Sequence, residues 1–409
     1  MAENRPLIQA RARIEDIVYH ANTTPFFDRL PFRPKNRTRW FLYFEYGAKR
    51  YRPLGGVTLA SKNLLGVDIG SHTIKVVEIS QTKKNVELLR FGVAELPSDA
   101  IVDGAFVNFP VVVERLRELL RKHKFKQKRC ALAISGTAVI VKKISLPQMT
   151  PDELQESVQW EAEQYIPFDI KDVNVDVEVL NQHPGQGQMD VLLVAAKKQV
   201  INDHVAVARD AGLSPTVMDV TTFTAQNCLE LNYGNFPNEV VALVNIGACS
   251  INLNVLADGT TAFTRDILVG SSVITEEIQK RFNLPWDEAE RYKTRTADQL
   301  PNQSLAREIK KLVKRVSDTL ATELQRSLDF FAATTANMQI SKVFLAGGGA
   351  MNPELVSVIS DRLALPTEIV NPFQNITINP KFVDLELLRH HAAQPAVAVG
   401  LALRRQDEQ

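Results

Sequence analysis

An aspartate that ends an apolar strand, followed at once by a turn of small residues, is an arrangement that can hold a phosphate chain. The stretch LLGVDIGSHTIKVVEIS, Leu64 to Ser80, has this form. Asp68 closes a run of bulky apolar residues, Gly70, Ser71, His72 and Thr73 make the turn, and Lys75 and Glu78 follow on a second run. Backbone N–H groups exposed in such a turn can clamp phosphate oxygens. A carboxylate beside them can hold the waters of Mg2+, an ion that keeps most of its hydration shell. Lys75 reads two ways, as a group pointing at the phosphates or as a solvated strand lysine. His72 reads as an exposed turn residue rather than a catalytic one.

The same pattern recurs. VALVNIGACSINLNVL, Val241 to Leu256, again runs from an apolar strand through Asn245 and the turn Gly247-Ala248 into a second strand. A third glycine cluster lies in VFLAGGGAMNPELVSVISDRL, where a strand runs into Gly347, Gly348 and Gly349. There Asn352 can cap the next helix, with Pro353 in its first position. Glycines let a backbone approach a ligand closely, and a helix N-terminus favours anions. No G-x-x-x-x-G-K-S/T occurs, which excludes a P-loop. The third cluster lacks the spacing of G-x-G-x-x-G and its acidic ribose partner. Each turn alone is common; the three in this order are specific. The two similar hairpins suggest a duplicated α/β core whose halves approach one ligand from both sides.

The elements that must position these turns alternate between strand and helix from Leu64 onward. Leu64–Asp68, Thr73–Ser80 and Val86–Glu95 have strand patterns, and Val111–Lys122 has helical spacing. CALAISG is a buried strand. Thr150, Pro151 and Glu153 form a capping box whose helix carries Leu154, Val158 and Tyr165 and is expected to stop at Pro167, leaving an exposed YIPFD end. QHPGQGQ, Gln182–Gln188, is an exposed loop between this region and the strand Asp190–Ala196; Val200–Ala211 is a helix. Ser304–Thr335 is one long amphipathic helix.

Composition narrows the classes. The 409 residues are 45% hydrophobic and 23% charged with a net charge of +1, which gives no electrostatic reason to expect nucleic acid. Three distant cysteines support neither a zinc site nor a disulfide framework. No run is long enough to span a bilayer and the N-terminus has no apolar signal core, so a cytoplasmic protein is expected. The first 62 residues stand apart, with 12 Lys/Arg against 5 Asp/Glu and aromatic clusters such as RWFLYFEYGAKRYRP. They read as a basic arm for anionic lipid or a partner, or as a poorly ordered leader or over-long start, the next Met being Met149.

The order of Asp68-Ile-Gly70-Ser71, Asn245-Ile-Gly247 and Gly347-Gly348-Gly349 resembles the actin-like ATPase superfamily. Within it, SLPQMTPDELQESVQWEAEQYIPFD, FTRDILVGSSVITEEIQKRFNLPWDEAERYK and the NPF at Asn371–Phe373 are similar to the PilM family of type IV pilus assembly. The resemblance covers about Leu64 to Arg404. It implies a two-lobed α/β fold with duplicated ribonuclease-H-like subdomains and a small inserted one. The expected division is 1–62 as extension, 63–138 and 198–230 as the first lobe, 139–197 as a partner-binding insertion, 231–384 as the second lobe with a helical part about 275–336, and 385–409 as a C-terminal helix returning to the first lobe. It implies ATP and Mg2+ in the central cleft. Asp68 would orient the metal through water, Gly70–Thr73 and Gly247–Ala248 would hold the β- and γ-phosphates, and Lys75 would face them. Gly347–Gly349 would lie under the adenosine, with Glu290 and Lys293 at base or ribose. Asp219 sits near where relatives position the attacking water, and equally reads as a strand-end aspartate capping a helix.

Relatives carry Asp where this chain has Asn245, and Gly-Gly where it has Gly270-Ser271. Phosphoryl transfer depends on charge neutralisation by the metal, so binding is expected and rapid hydrolysis is not. The resemblance further implies a scaffold at the inner membrane that docks the cytoplasmic N-terminal peptide of a PilN-like protein, with pilus motor ATPases as further candidates. An FtsA-like division tether would need a terminal amphipathic helix, and the chain ends at AVAVGLALRRQDEQ without one. A GspL-like secretion protein would continue into a transmembrane helix. A small-molecule kinase would need a catalytic carboxylate for which no candidate is evident.

Overall fold

The structure, a computed structural model, describes residues 63–82, 85–183, 185–295, 302–335 and 338–405. The basic segment 1–62 lies outside the described residues. In chain order the first half forms strands β1 (Leu65–Ile69), β2 (Thr73–Gln81), β3 (Val86–Glu95), β4 (Ile101–Val102) and β5 (Ala105–Phe106), helix α1 (Phe109–Lys122) and β6 (Arg129–Ile134). Then come β7 (Val139–Pro147), α2 (Pro151–Glu163), β8 (Val173–His183), β9 (Gln188–Lys197), α3 (Lys198–Asp210), β10 (Ser214–Val220) and α4 (Thr221–Tyr233). The second half forms β11 (Val240–Ile246), β12 (Ile251–Ala257), β13 (Thr260–Ile267), α5 (Ser272–Phe282), α6 (Trp286–Thr294), α7 (Gln303–Thr334) and β14 (Lys342–Ala346). It closes with α8 (Pro353–Leu363), β15 (Thr367–Ile369), β16 (Thr377–Ile378), α9 (Leu385–His390) and α10 (Ala396–Ala402).

Two sheets share one plan. In the first, ordered β10-β6-β1-β2-β3-β16, β1 to β3 form an antiparallel meander and β6 and β10 continue it in parallel beyond β1. In the second, ordered β13-β12-β11-β14-β15, β11 to β13 form the meander and β14 and β15 continue in parallel beyond β11. The registers coincide: Asp68 lies opposite Lys75 as Asn245 lies opposite Asn252. Strands such as β1 and β11 are buried on both faces, which is why they read as near-continuous apolar runs.

The chain returns twice to its first sheet. β16 pairs in parallel with β3, and α10 packs across β1 and α4. Glycine permits this crossing: a Cβ on Gly400 would stand 1.7 Å from the Thr224 carbonyl oxygen, and one on Gly66 1.9 Å from that of Ala398. Just beyond α10, Arg404 donates to Asp219 Oδ2 at 2.6 Å, and the two residues are 5% and 2% exposed.

The segment between β6 and α3 builds a separate three-stranded sheet, β7-β9-β8, with α2 on one face. The central strand shows the period of two: Val191, Leu193 and Ala195 pack with α2, whereas Leu192, Val194 and Ala196 join the core of the first lobe. Both predicted cap bonds of Thr150 and Glu153 are present. Two local expectations change. The helix ends at Glu163 rather than at Pro167, and YIPFD is not an exposed tail: Ile166 is buried, and the Tyr165 and Phe168 rings lie under the ammonium groups of Lys142 and Lys197. The cause is Ala162 and Ile166 turning back onto the sheet.

Removing one partner of a buried ion pair leaves an uncompensated charge, at a cost of about 3–5 kcal/mol. Arg404→Met is expected to lower the unfolding free energy by about that amount in chemical denaturation. A loss within the error of the measurement would show that this pair does not tie the C-terminus to the first lobe.

Candidate functional site

A cleft of about 2170 Å3 runs between the two hairpin turns and is lined from both lobes. On one side stand Asp68, the turn Gly70, Ser71, His72 and Thr73, and Lys75. Opposite stand Asn245, Gly247 and Ala248, with Gly347 and Gly348 beside them and Glu290 and Lys293 on α6.

The turns are built alike. Gly70 N–H donates to Thr73 O at 3.1 Å, and Gly247 N–H donates to Ser250 O at 2.8 Å. Each bond closes a tight loop whose residues line the cleft. Among the described residues, the N–H groups of Ser71, His72, Ala248 and Cys249 donate to no carbonyl. Four unused donors facing one cleft from two sheets suit an anion with several oxygens. Lys75 Nζ, 3.1 Å from Asp68 Oδ2, also stands over the first turn, 3.4 Å from where a Gly70 Cβ would be. Lys75 is therefore paired and half-buried, not a solvated strand lysine. At the matching place in the second hairpin, Asn245 Nδ2 donates to Asn252 Oδ1 at 3.0 Å. An ion pair in one half is replaced by an amide pair in the other, so the second turn contributes no charge.

On α6, Lys293 is buried and donates to Glu290 Oε1 at 2.6 Å and to Thr275 Oγ1 at 2.9 Å, while the Thr275 hydroxyl donates to Glu290 at 2.7 Å. The three hold one another and present the carboxylate edge to the cleft. His72 is not exposed as expected. Its ring lies 4.6 Å from that of Trp286, across the cleft, and among the described residues neither ring nitrogen has a hydrogen-bond partner. Burial pushes its pKa down; Lys293 and Lys75 act in the same direction and Glu290 opposes them.

Three predicted residues lie outside the lining. Asp219 is buried in its pair with Arg404, with Oδ1 accepting from Val220 N–H at 2.7 Å; it makes no side-chain cap bond to α4, and it does not line the cleft. Gly270 is needed where the loop before α5 meets the second turn, since its Cβ would stand 2.2 Å from Ala248 O. Gly349 packs inward against Ile246 at the same separation.

Several lining residues carried no sequence signal. His204 on α3 packs edge-on against Phe106, with Nδ1 2.8 Å from Val200 O. His391, after α9, has Nδ1 3.1 Å from Gln394 Oε1. Burial pushes both pKa values down. Asn252 alone was detectable, because superposing the hairpins puts it at the place of Lys75. Among the described residues no cluster of three or more His, Cys, Asp or Glu forms a ready metal cage, so a metal here would rely on Asp68, water and ligand oxygens.

Comparisons with known proteins agree with this geometry. The family model described as Type IV pilus assembly protein PilM matches residues 66–406. A solved PilM-PilN type IV pilus biogenesis complex is 30% identical, covers 84% of this chain and 99% of its own, and superposes with a TM-score of 0.74. The ethanolamine utilization protein EutJ from Carboxydothermus hydrogenoformans is 16% identical, over 86% of this chain and 91% of its own, with a TM-score of 0.51. The cell division protein FtsA of Bacillus subtilis (strain 168) is 20% identical over 352 residues, 75% of this chain and 78% of its own. The last two speak to the fold alone.

Four buried or half-buried histidines, His72, His123, His204 and His391, have folded pKa values pushed below the ordinary 6.5. A group shifted this way stabilises the fold above its unfolded pKa and loses that contribution as pH falls through 6.5 toward its folded pKa. The unfolding free energy is expected to drop by more than about 1 kcal/mol between pH 7.5 and 5.5, read from urea titrations. His204→Phe should flatten the drop; an equally steep profile in that variant would remove His204 from the account.

Proposed function

Because the chain belongs to the type IV pilus assembly protein PilM family, and serves as an actin-like scaffold of pilus assembly, we propose that its cleft binds ATP with Mg2+ and that nucleotide state tunes partner docking. The observation that carries this reading is the paired turns, each closed by one glycine N–H bond and each leaving two amides free toward the same space. The β- and γ-phosphates fit between them, with Lys75 over the first turn. Asp68 Oδ1 has no hydrogen-bond partner among the described residues and would hold a metal-bound water. The metal would supply charge neutralisation at the phosphates. The adenosine fits between Gly347–Gly348 and the Glu290–Lys293 pair.

The scaffold reading favours binding over turnover. Asn245 removes a charge beside the metal, its amide is committed to Asn252, and Asp219 is committed to Arg404. Slow hydrolysis at most follows, since phosphoryl transfer is almost entirely positioning and charge stabilisation.

The partner reading rests on residues 139–197. The outer strands of the sheet β7-β9-β8 are hydrogen-bonded to no further strand among the described residues; β7 lies against β13 of the second lobe, and β8 is the open edge. Open edges of this kind accept an extended peptide: main-chain bonds give affinity, and pockets for alternate side chains give selectivity. The related complex pairs PilM with PilN. An N-terminal cytoplasmic peptide of a PilN-like inner-membrane protein is the proposed occupant, which would hold the chain at the inner membrane. Among the described residues no helix is long and apolar enough to cross a bilayer.

Cys249 supplies a direct test, since it is exposed in the second turn whereas Cys130 and Cys228 are buried. Saturating MgATP is expected to slow its alkylation several-fold in the unmodified chain, and Asp68→Ala should abolish the magnesium-dependent part of that protection. Identical labelling rates with and without MgATP would sink the phosphate-clamp reading. For the partner, a synthetic peptide of the PilN-like tail should bind at micromolar strength, about −8 kcal/mol, with photo-cross-links falling in residues 139–197 or the lobe face beside them. Cross-links confined to the second lobe would contradict the docking assignment.

A further inference from the structure

One chain of hydrogen bonds leads out of the second turn and across the cleft. Asn245, at the strand end beside that turn, donates to Asn252 Oδ1 at 3.0 Å. Asn252 Nδ2 donates to Asp266 Oδ1 on β13 at 2.8 Å. Asp266 Oδ2 accepts from Gly136 N–H at 2.5 Å. Gly136 belongs to the first lobe, on the short turn after β6, so the last bond joins the lobes over 130 positions of sequence.

The receiving end is a mobile-ready joint. Gly136 has φ of +82°, a conformation that favours glycine, and nothing stands near its absent Cβ. Three residues later β7 begins, the first strand of the inserted sheet. Whatever fixes Gly136 therefore fixes the root of the element proposed to dock the partner. Asn245, Asn252 and Asp266 are neighbours across adjacent strands, so the first two links run along the sheet, and Asp266 uses one oxygen for each lobe. All three side chains are largely buried, so water competes poorly for these bonds and a break leaves unpaired groups.

We propose that Asp266 is a positioning residue that couples the phosphate-binding turn to the inserted subdomain, through Asn252 on one side and the Gly136 amide on the other. The proposal rests on the phosphate-clamp reading of the cleft and goes beyond it by naming the route of regulation. A phosphate seated on Gly247–Cys249 tightens the end of β11 and, with it, Asn245. The side-chain relay then holds Gly136 and sets the angle at which β7 leaves the lobe. Reciprocity follows from linkage: a peptide that prefers the held position of the insertion raises nucleotide affinity by the same factor. The two-state element is the Gly136 joint, tied or released.

Asp266→Leu cuts the relay with little change of size. A carboxylate accepts from both Asn252 and Gly136; the leucine side chain accepts from neither. Asn252→Ser breaks the relay from the other side. Hydrogen–deuterium exchange is measured on the full chain with and without MgATP. In the unmodified protein, MgATP is expected to slow exchange at Ala248–Cys249 and also at 136–141. In both variants the slowing at Ala248–Cys249 should persist while that at 136–141 disappears, and Asp266→Leu should raise nucleotide-free exchange at Gly136 roughly tenfold. Undiminished nucleotide protection of 136–141 in the variants would overturn the proposal. So would protection of the turn without any at 136–141 in the unmodified chain. Failure to protect Ala248–Cys249 in any protein would fall instead on the phosphate-clamp reading, and the coupling would go with it.

Discussion

The proposed phosphate chain would carry more charge than one loop of backbone can meet, and the paired architecture suits that constraint. Each hairpin turn is pinned by one bond, Gly70 N–H to Thr73 O or Gly247 N–H to Ser250 O, and each spends its glycine amide on this closure. What remains is two amides per turn. Enough donors gather only when two such turns face each other, which requires two sheets of like plan and a cleft between them. The duplicated meanders and their matching registers meet that requirement.

Facing turns must be held at a fixed separation and still be able to part. α4 and α10 cross between the lobes at backbone distance, which only glycine at position 400 allows. The Asp219–Arg404 pair anchors the end of the returning chain beside the strand that leads into α4. Close packing resists continuous deformation, so motion between the lobes is expected as a hinge at such crossings. Two further ties join the lobes, His72 on Trp286 and Asp266 on Gly136.

The two halves are not equal in charge. The first turn has Asp68 with Lys75, the second Asn245 with Asn252. Equal geometry with unequal charge keeps the backbone donors on both sides of the cleft and leaves the carboxylate on one side only. On the proposed reading, this asymmetry suits holding a nucleotide more than cleaving it. The inserted sheet is continuous with the first lobe through Leu192, Val194 and Ala196, so a change at the root of β7 would reach the lobe core and the proposed docking surface together.

The sequence alone determined what is local. Asp68 and its turn, the recurrence around Asn245, the capping box at Thr150 and the long helix α7 are decided by neighbours within a few residues, through turn chemistry and apolar period. The family resemblance extended that reading to the two-lobed actin-like fold. Tertiary structure alone decided the rest. Asp219 finds Arg404 at 185 positions' distance, and Asp266 finds Gly136 at 130. Gly270 and Gly349 each leave room for a group remote in sequence, the Ala248 carbonyl and the Ile246 side chain, which no local pattern announces. His72 was misread as exposed for the same reason: the Trp286 ring that covers it belongs to the other lobe. Turn residues announce their own conformation, but the partner of a buried charge or ring is set by which strands lie side by side, and no local pattern encodes that.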